Sequence, residues 1–143
     1  MVDITQKEPS LRTAIAQAIV KVGSEATIDA IRKKAVPKGD VFEMSRAAGL
    51  LGVKQTALLL PDCHPLPIEF TGIEYDIAGL EIHIRVTVKT HYKTGVEVEA
   101  MHGASIVALN MYDMLKPIDK NVEIYHIRLL TKTGGKSDIH RTG

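Results

Sequence analysis

A chain of 143 residues with 18 Lys and Arg against 17 Asp and Glu, net charge +1, can bury one real core but carries no field suited to nucleic acid or an anionic membrane. Aromatic residues make up 4%, with no Trp, which disfavours base-stacking surfaces; the single Cys63 can form no internal disulfide and has no zinc-ligand spacing around it. No apolar run approaches 18 residues and Met1-Val2-Asp3-Ile4 has neither a basic nor an apolar leader region, so a soluble, cytoplasmic protein of one domain, residues 1–143, is expected.

Taken in order, Leu11 to Val22 is apolar on both alternating faces, which suits a strand covered on both sides. Ser24 is placed to cap a helix from Glu25 to about Ala35, and Asp40 with Glu43 forms a capping box for a second helix that ends at Pro61. Leu66 to Ile77 reads as a strand whose apolar register shifts near Thr71-Gly72, as a bulge would cause. After the Ala78-Gly79 turn, Leu80, Ile82, Ile84, Val86 and Val88 alternate with Glu81, His83, Arg85, Thr87 and Lys89, the period of a half-buried antiparallel strand. Thr94 with Glu97 forms a second capping box for a helix that can run to Lys116 before Pro117, and Val122 to Lys132 makes a final strand. This mixed order predicts an α+β two-layer sandwich, an antiparallel sheet with helices on one face.

The helix from Thr94 carries two stripes. Ala100, Ala104, Val107, Met111 and Met114 or Leu115 form a core face. Glu99, His102, Gly103, Ile106, Asn110 and Asp113, with Lys116 at the margin, lie roughly 120° around the helix. That second stripe is either a solvated face or a contact with another subunit; a subunit contact would cover Ile106 and Leu109 and account for Gly103, which inside a helix costs roughly 1 kcal/mol unless something packs close. Glu99 and Asp113 stand about 21 Å apart along the axis, so they serve opposite ends of a long ligand or two neighbouring sites.

Two further groups could hold a ligand. Pro61-Asp62-Cys63-His64-Pro65-Leu66-Pro67 has three prolines in seven residues, a rigid loop able to hold an imidazole still. His64 either satisfies a backbone carbonyl or faces a ligand; Cys63 reads as a small filler. Lysines adjoin glycine at Lys38-Gly39, Lys93-Thr94-Gly95 and Lys132-Thr133-Gly134-Gly135-Lys136, anion-nest chemistry that, with Lys54 and Lys116, suits a polyphosphate. Leu130 stands where a P-loop requires Gly, so the last of these is not an ATPase motif.

The stretches KGDVFEMSRAAGLLGVKQT, PDCHPLPIEF, KTGVEVEAMHGASIVALNMYDMLK and RLLTKTGGKS, with the opening MVDI, resemble the cyclic pyranopterin monophosphate synthases, the molybdenum cofactor biosynthesis protein C family, across nearly the whole chain. The resemblance implies a ferredoxin-like subunit in a homohexamer, a trimer of dimers, with sites at subunit interfaces. It implies a lyase that converts 3′,8-cyclo-7,8-dihydro-GTP to cyclic pyranopterin monophosphate and releases pyrophosphate. It makes Asp113 and Lys116 the catalytic pair, with Asp62, Cys63, His64, Val98, Glu99, Lys38, Lys54, Lys132 and Lys136 binding substrate, and Asp3 and Arg12 as weaker correspondences. It implies no resident metal or cofactor, Mg2+ beside the triphosphate being left open. Departures from the family pattern include Asp62 for Leu, Gln55 for Arg, Val98 for Met and the AMHGAS segment containing His102; none touches His64, Glu99, Asp113 or Lys116. The alternative is a pterin- or nucleotide-binding homologue without turnover; an RNA-binding domain is disfavoured because Leu80 to Lys89 has no exposed-face aromatic.

Overall fold

The regular alternation of Leu80 to Lys89 organises the molecule. In the computed structural model, which describes residues 1–142, Glu81–Tyr92 (β3) forms an antiparallel hairpin with Phe70–Ala78 (β2) across Gly79, whose φ of +62° suits the turn. Ile82, Ile84, Val86 and Val88 point into the core, while Glu81, Arg85 and Lys89 face outward. Ser10–Lys21 (β1) pairs antiparallel with the other edge of β3, and Glu123–Thr133 (β4) pairs with β1. A two-residue strand, Ile139–His140 (β5), follows β4, giving the order β2-β3-β1-β4-β5. Without β5 this is the ferredoxin-like arrangement expected.

Helices Glu25–Arg32 (α1), Val41–Leu59 (α2) and Glu97–Leu115 (α3) lie on one face of that sheet. Their apolar residues join one core with Ala14, Ala16, Ala18 and Val20 of β1. The expectation that β1 is covered on both sides holds from Ala16 to Val20, all buried, although helices cover one face only. Gln17 and Ile19 on the other face are nonetheless largely buried.

Local signals were met unevenly. Asp40 caps α2, its Oδ1 accepting from the Glu43 amide at 3.2 Å, as a capping residue should. Ser24 does not cap with its side chain; its carbonyl accepts from the Thr27 amide instead. α1 also stops at Arg32, three residues short of Ala35. Lys34 takes a left-handed φ of +55°, and amides of Ala35 and Lys34 close on the carbonyls of Ala30 and Ile31, a Schellman termination with lysine in the usual glycine place. Thr94 is not the cap of α3 either: Val96 precedes the first turn, and Glu97 spends its carboxylate on Lys132 at 3.0 Å. A cationic ammonium donor draws that carboxylate more strongly than a neutral amide does.

Strand β2 begins at Phe70, not Leu66, and its register against β3 runs without interruption from Phe70 to Ala78. The expected bulge near Gly72 is absent. Phe70 sits on the outer face, where the Lys89 ammonium lies 5.4 Å from its ring centre, so its apolar character is used by a cation and not by the core. The bulges lie instead in β4, where the pairing with β1 slips between Ile15 and Ala16 and again between Gln17 and Ile19. Each slip adds a residue to β4 and reverses the face its side chains take. Lys132 is thereby set opposite Ala14, on the helix side of the sheet.

Candidate active site

The stripe bearing Glu99, His102, Gly103, Ile106 and Asn110 meets α2, not solvent. A Cβ on Gly103 would lie 2.6 Å from Val53 Cγ2, and one on Gly49 would lie 2.4 Å from Val107 Cγ2. Glycines thus let the two helices approach closely, and Gly52 makes room for Ile106 in the same way. His102 Nδ1 bonds Thr56 Oγ1 at 3.0 Å, and Asn110 donates to Ser45 Oγ at 3.1 Å. The subunit contact expected to explain Gly103 and Ile106 is replaced by this contact within the chain. Leu109 alone of that group stays open, 56% exposed.

Packing α3 against both α2 and the sheet fixes two chemical groups at its ends. At the N-terminal end a pocket of about 560 Å³ is bounded by the rigid loop of Asp62, Cys63 and His64, by the first turn of α3 with Glu97, Val98 and Glu99, and by Val2, Ile4 and Lys7. Glu99 is only 3% exposed. Burial pushes its carboxyl above the usual range, and the Cys63 thiol donates to its Oε2 at 3.5 Å. Burial, then the Glu99 charge, pushes the thiol up to about 11. Such a thiol is a hydrogen-bond donor, not a nucleophile. His64 Nε2 lies 2.6 Å from the Val2 carbonyl; of the two roles considered for it, carbonyl partner is the one this conformation displays.

Cations surround the same end. Lys132 reaches Glu97, and Arg12, 7% exposed, donates to the Lys93 carbonyl at 3.3 Å. Lys54 borders a smaller cleft of about 190 Å³ that also reaches Glu99. Lys136 is exposed in the turn after β4, and Asp3 is folded locally onto Thr5. A second hollow of about 450 Å³ lies on the helix-free face of the sheet among Glu74, Asp76, His83 and Arg85; it holds none of the expected site residues.

At the C-terminal end Asp113 is held between two ammonium groups. Its Oδ2 lies 3.1 Å from Lys38 Nζ and its Oδ1 lies 3.1 Å from Lys116 Nζ, and Lys38 also donates to the Asp113 carbonyl at 2.8 Å. Lys38 and then Lys116 hold the carboxyl below its usual range, so it is an anion near neutral pH. The pairing of Asp113 with Lys116 was expected from their spacing of three. Lys38 arrives from the loop before α2, a non-local partner.

Within one chain the expected residues thus form two groups at opposite ends of a 19-residue helix. Sequence reasoning missed Val2, Ile4 and Lys7 as pocket residues, since a segment outside any regular element carries no periodic signal. It also read Glu97 as a cap, where its partner is 35 residues away.

An α+β domain with a pocket and nearby lysines at one end of its central helix and a carboxylate clasped by two lysines at the other offers local positive charge suited to a small anionic ligand. The pattern of the MoaC family matches residues 1–135, and the chain belongs to that family. It is 48% identical to a cyclic pyranopterin monophosphate synthase of Syntrophomonas wolfei, over 96% of this chain and 88% of the relative. It is 46% identical to one from Pelobacter propionicus, over 99% and 89%, and 45% identical to one from a Nostoc species, over 96% and 82%.

Proposed function

We propose that this protein makes cyclic pyranopterin monophosphate from 3′,8-cyclo-7,8-dihydro-GTP with release of pyrophosphate, as a lyase of molybdenum cofactor biosynthesis. The observation that carries the reading is identity of 48% with a relative of that name along almost the full chain. The reaction closes a cyclic phosphate: a substrate hydroxyl oxygen bonds to the α-phosphorus, the bond from that phosphorus to pyrophosphate breaks, and the hydroxyl proton passes to a base. Ammonium groups offset the charge that gathers on the departing pyrophosphate. Lys54, Lys132 and Lys136 are suited to that task, with Asp62, Cys63, His64, Val98 and Glu99 holding the ring system. Asp113, kept ionised by Lys38 and Lys116, keeps the Lys116 ammonium in place as proton donor to the ring being rebuilt.

The two groups must meet around one substrate. About 21 Å separates Glu99 from Asp113 along α3, so the Asp113 end of one subunit completes the Cys63–His64 pocket of another. The working form is a cytoplasmic homohexamer, a trimer of dimers. The test is pyrophosphate release by the purified protein given the cyclised GTP substrate, with sedimentation of the same sample. Stoichiometric release by an oligomer is expected. Binding without release would instead mark a non-catalytic binding protein, and full activity in a dilute monomer would overturn the shared site.

A further inference from the structure

Two local irregularities converge on one ion pair. A Cβ on Gly95 would stand 2.2 Å from Glu97 Oε2, so glycine there lets the Glu97 carboxylate fold back over the loop. A Cβ on Gly135 would meet Arg12 Nη1 at 2.6 Å, so a second glycine leaves room for the neighbouring Arg12 guanidinium. The slip between Ile15 and Ala16 sets Lys132 opposite Ala14, on the same helix side as Leu129 three residues earlier. The product is the contact of Lys132 Nζ with Glu97 Oε1 at 3.0 Å, with side chains 26% and 28% exposed. Glu97 Oε2 is buried and, among the described residues, has no hydrogen-bond partner. A pair this close to the surface contributes little to folding, and stability alone does not call for a register slip and a glycine beside it. What the arrangement does fix is the direction of a lysine with a long flexible stem, at the edge of the pocket that Glu97 itself lines.

We infer that Glu97 is a positioning residue: it aims the Lys132 ammonium at the charge that leaves with pyrophosphate, without touching substrate. This rests on the proposed function, in which Lys132 grips the polyphosphate. A carboxylate that merely repelled the anionic substrate would give the opposite result on removal, a lower KM with kcat unchanged.

Steady-state kinetics of Glu97→Gln, Lys132→Ala and the double variant separate these cases. Positioning predicts that Glu97→Gln lowers kcat at least tenfold with KM shifted less than threefold, that Glu97→Asp recovers part of the loss, and that the double variant is no slower than Lys132→Ala alone. An unchanged kcat in Glu97→Gln, or a double variant slowed by the product of the two single effects, overturns it. Nitrogen-15 NMR of the lysine ammonium groups tests the same contact without turnover. The Lys132 signal, assigned by its loss in Lys132→Arg, should be sharp in the wild type and broadened in Glu97→Gln. An identical signal in both overturns the inference even in an active enzyme. Failure of the wild type to release pyrophosphate would sink the proposed function and leave the NMR result standing.

Discussion

The two ends of α3 handle carboxylates in opposite ways. At the N-terminal end Glu99 is buried, loses hydration and is held above the usual carboxyl range. At the C-terminal end Asp113 is open to water, sits between Lys38 and Lys116 and is held below it. Both residues are acidic groups on one helix of 19 residues; their difference comes from what the rest of the chain delivers to each end. Burial raises a carboxyl's hold on its proton, and ammonium groups in direct contact lower it. One helix therefore carries a buried carboxyl that accepts from Cys63 at one end and an exposed ion pair at the other.

The sharpest way to break this comparison is chemical. Lys116→Ala should lower turnover by at least a hundredfold, on the order of 2.7 kcal/mol of barrier, and leave the fold intact, because the ion pair is exposed and contributes little to stability. A rate within about tenfold of wild type, roughly 1.4 kcal/mol, would remove Lys116 from the assigned role. The next break is mechanical. Gly103→Val would drive a side chain against Val53, where a Cβ alone already comes within 2.6 Å. Overpacking of this kind costs about 1–3 kcal/mol, read as a fall in the thermal midpoint, and it should disturb both ends together because both hang on the α2–α3 crossing.

How much of this was legible in the sequence depended on the distance between cause and effect. The β3 alternation and the Asp40 cap are local, and both were read correctly. The pairing of Asp113 with Lys116 is also local, set by helical spacing. The partner of Lys132 is not local: two slips in register between β4 and β1 set it opposite Ala14, and a period-two reading of β4 gives its face but not its place along β1. Gly103 was recognised as anomalous, but its reason lay in Gly49 and Val53, on another helix about fifty residues earlier. Thr94 and Glu97 satisfied the capping-box pattern and still formed no box, because Lys132 competes for the same carboxylate. The family resemblance supplied the names of the site residues, and helical rise already set Glu99 and Asp113 about 21 Å apart; the arrival of Lys38 at Asp113 from a distant loop was not legible.

A smaller effect concerns the anchor just beyond the C-terminal end. Asp119 accepts from the Gly23 amide at 2.7 Å, from Thr27 Oγ1 at 2.8 Å and from the Asn121 amide at 2.8 Å. This ties the exit of α3 to the turn between β1 and α1. Burial opposes its charge, but the three hydrogen bonds prevail and hold its carboxyl below the usual range. Asp119→Ala orphans buried donors, each worth about 1–3 kcal/mol when desolvated, so a loss of about 2 kcal/mol in urea unfolding is expected. Wild-type stability after this substitution would mean that water replaces the carboxylate.

The smallest effect is also the one that tests the opposition of the two ends most directly, through pH. Glu99 has a raised value when folded, so the folded state binds its proton more tightly than the unfolded chain does. Its contribution to stability is complete below the unfolded value of about 4.3 and is lost as pH rises through the folded one. Asp113 is lowered when folded, so its contribution is present above an unfolded value of about 3.9 and is lost as pH falls through the folded one. Urea midpoints from pH 3 to 7 should therefore respond in opposite senses. Glu99→Gln, which keeps a buried hydrogen-bonding group beside Cys63 and removes the charge, should flatten the decline toward neutral pH relative to wild type. Asp113→Asn should instead remove part of the loss on acidification, and by less, since water and salt screen an exposed carboxylate between Lys38 and Lys116. If both variants changed the same limb of the profile, burial would not be what distinguishes the ends, and the Glu99 carboxyl would have to be ionised and paired inside the pocket.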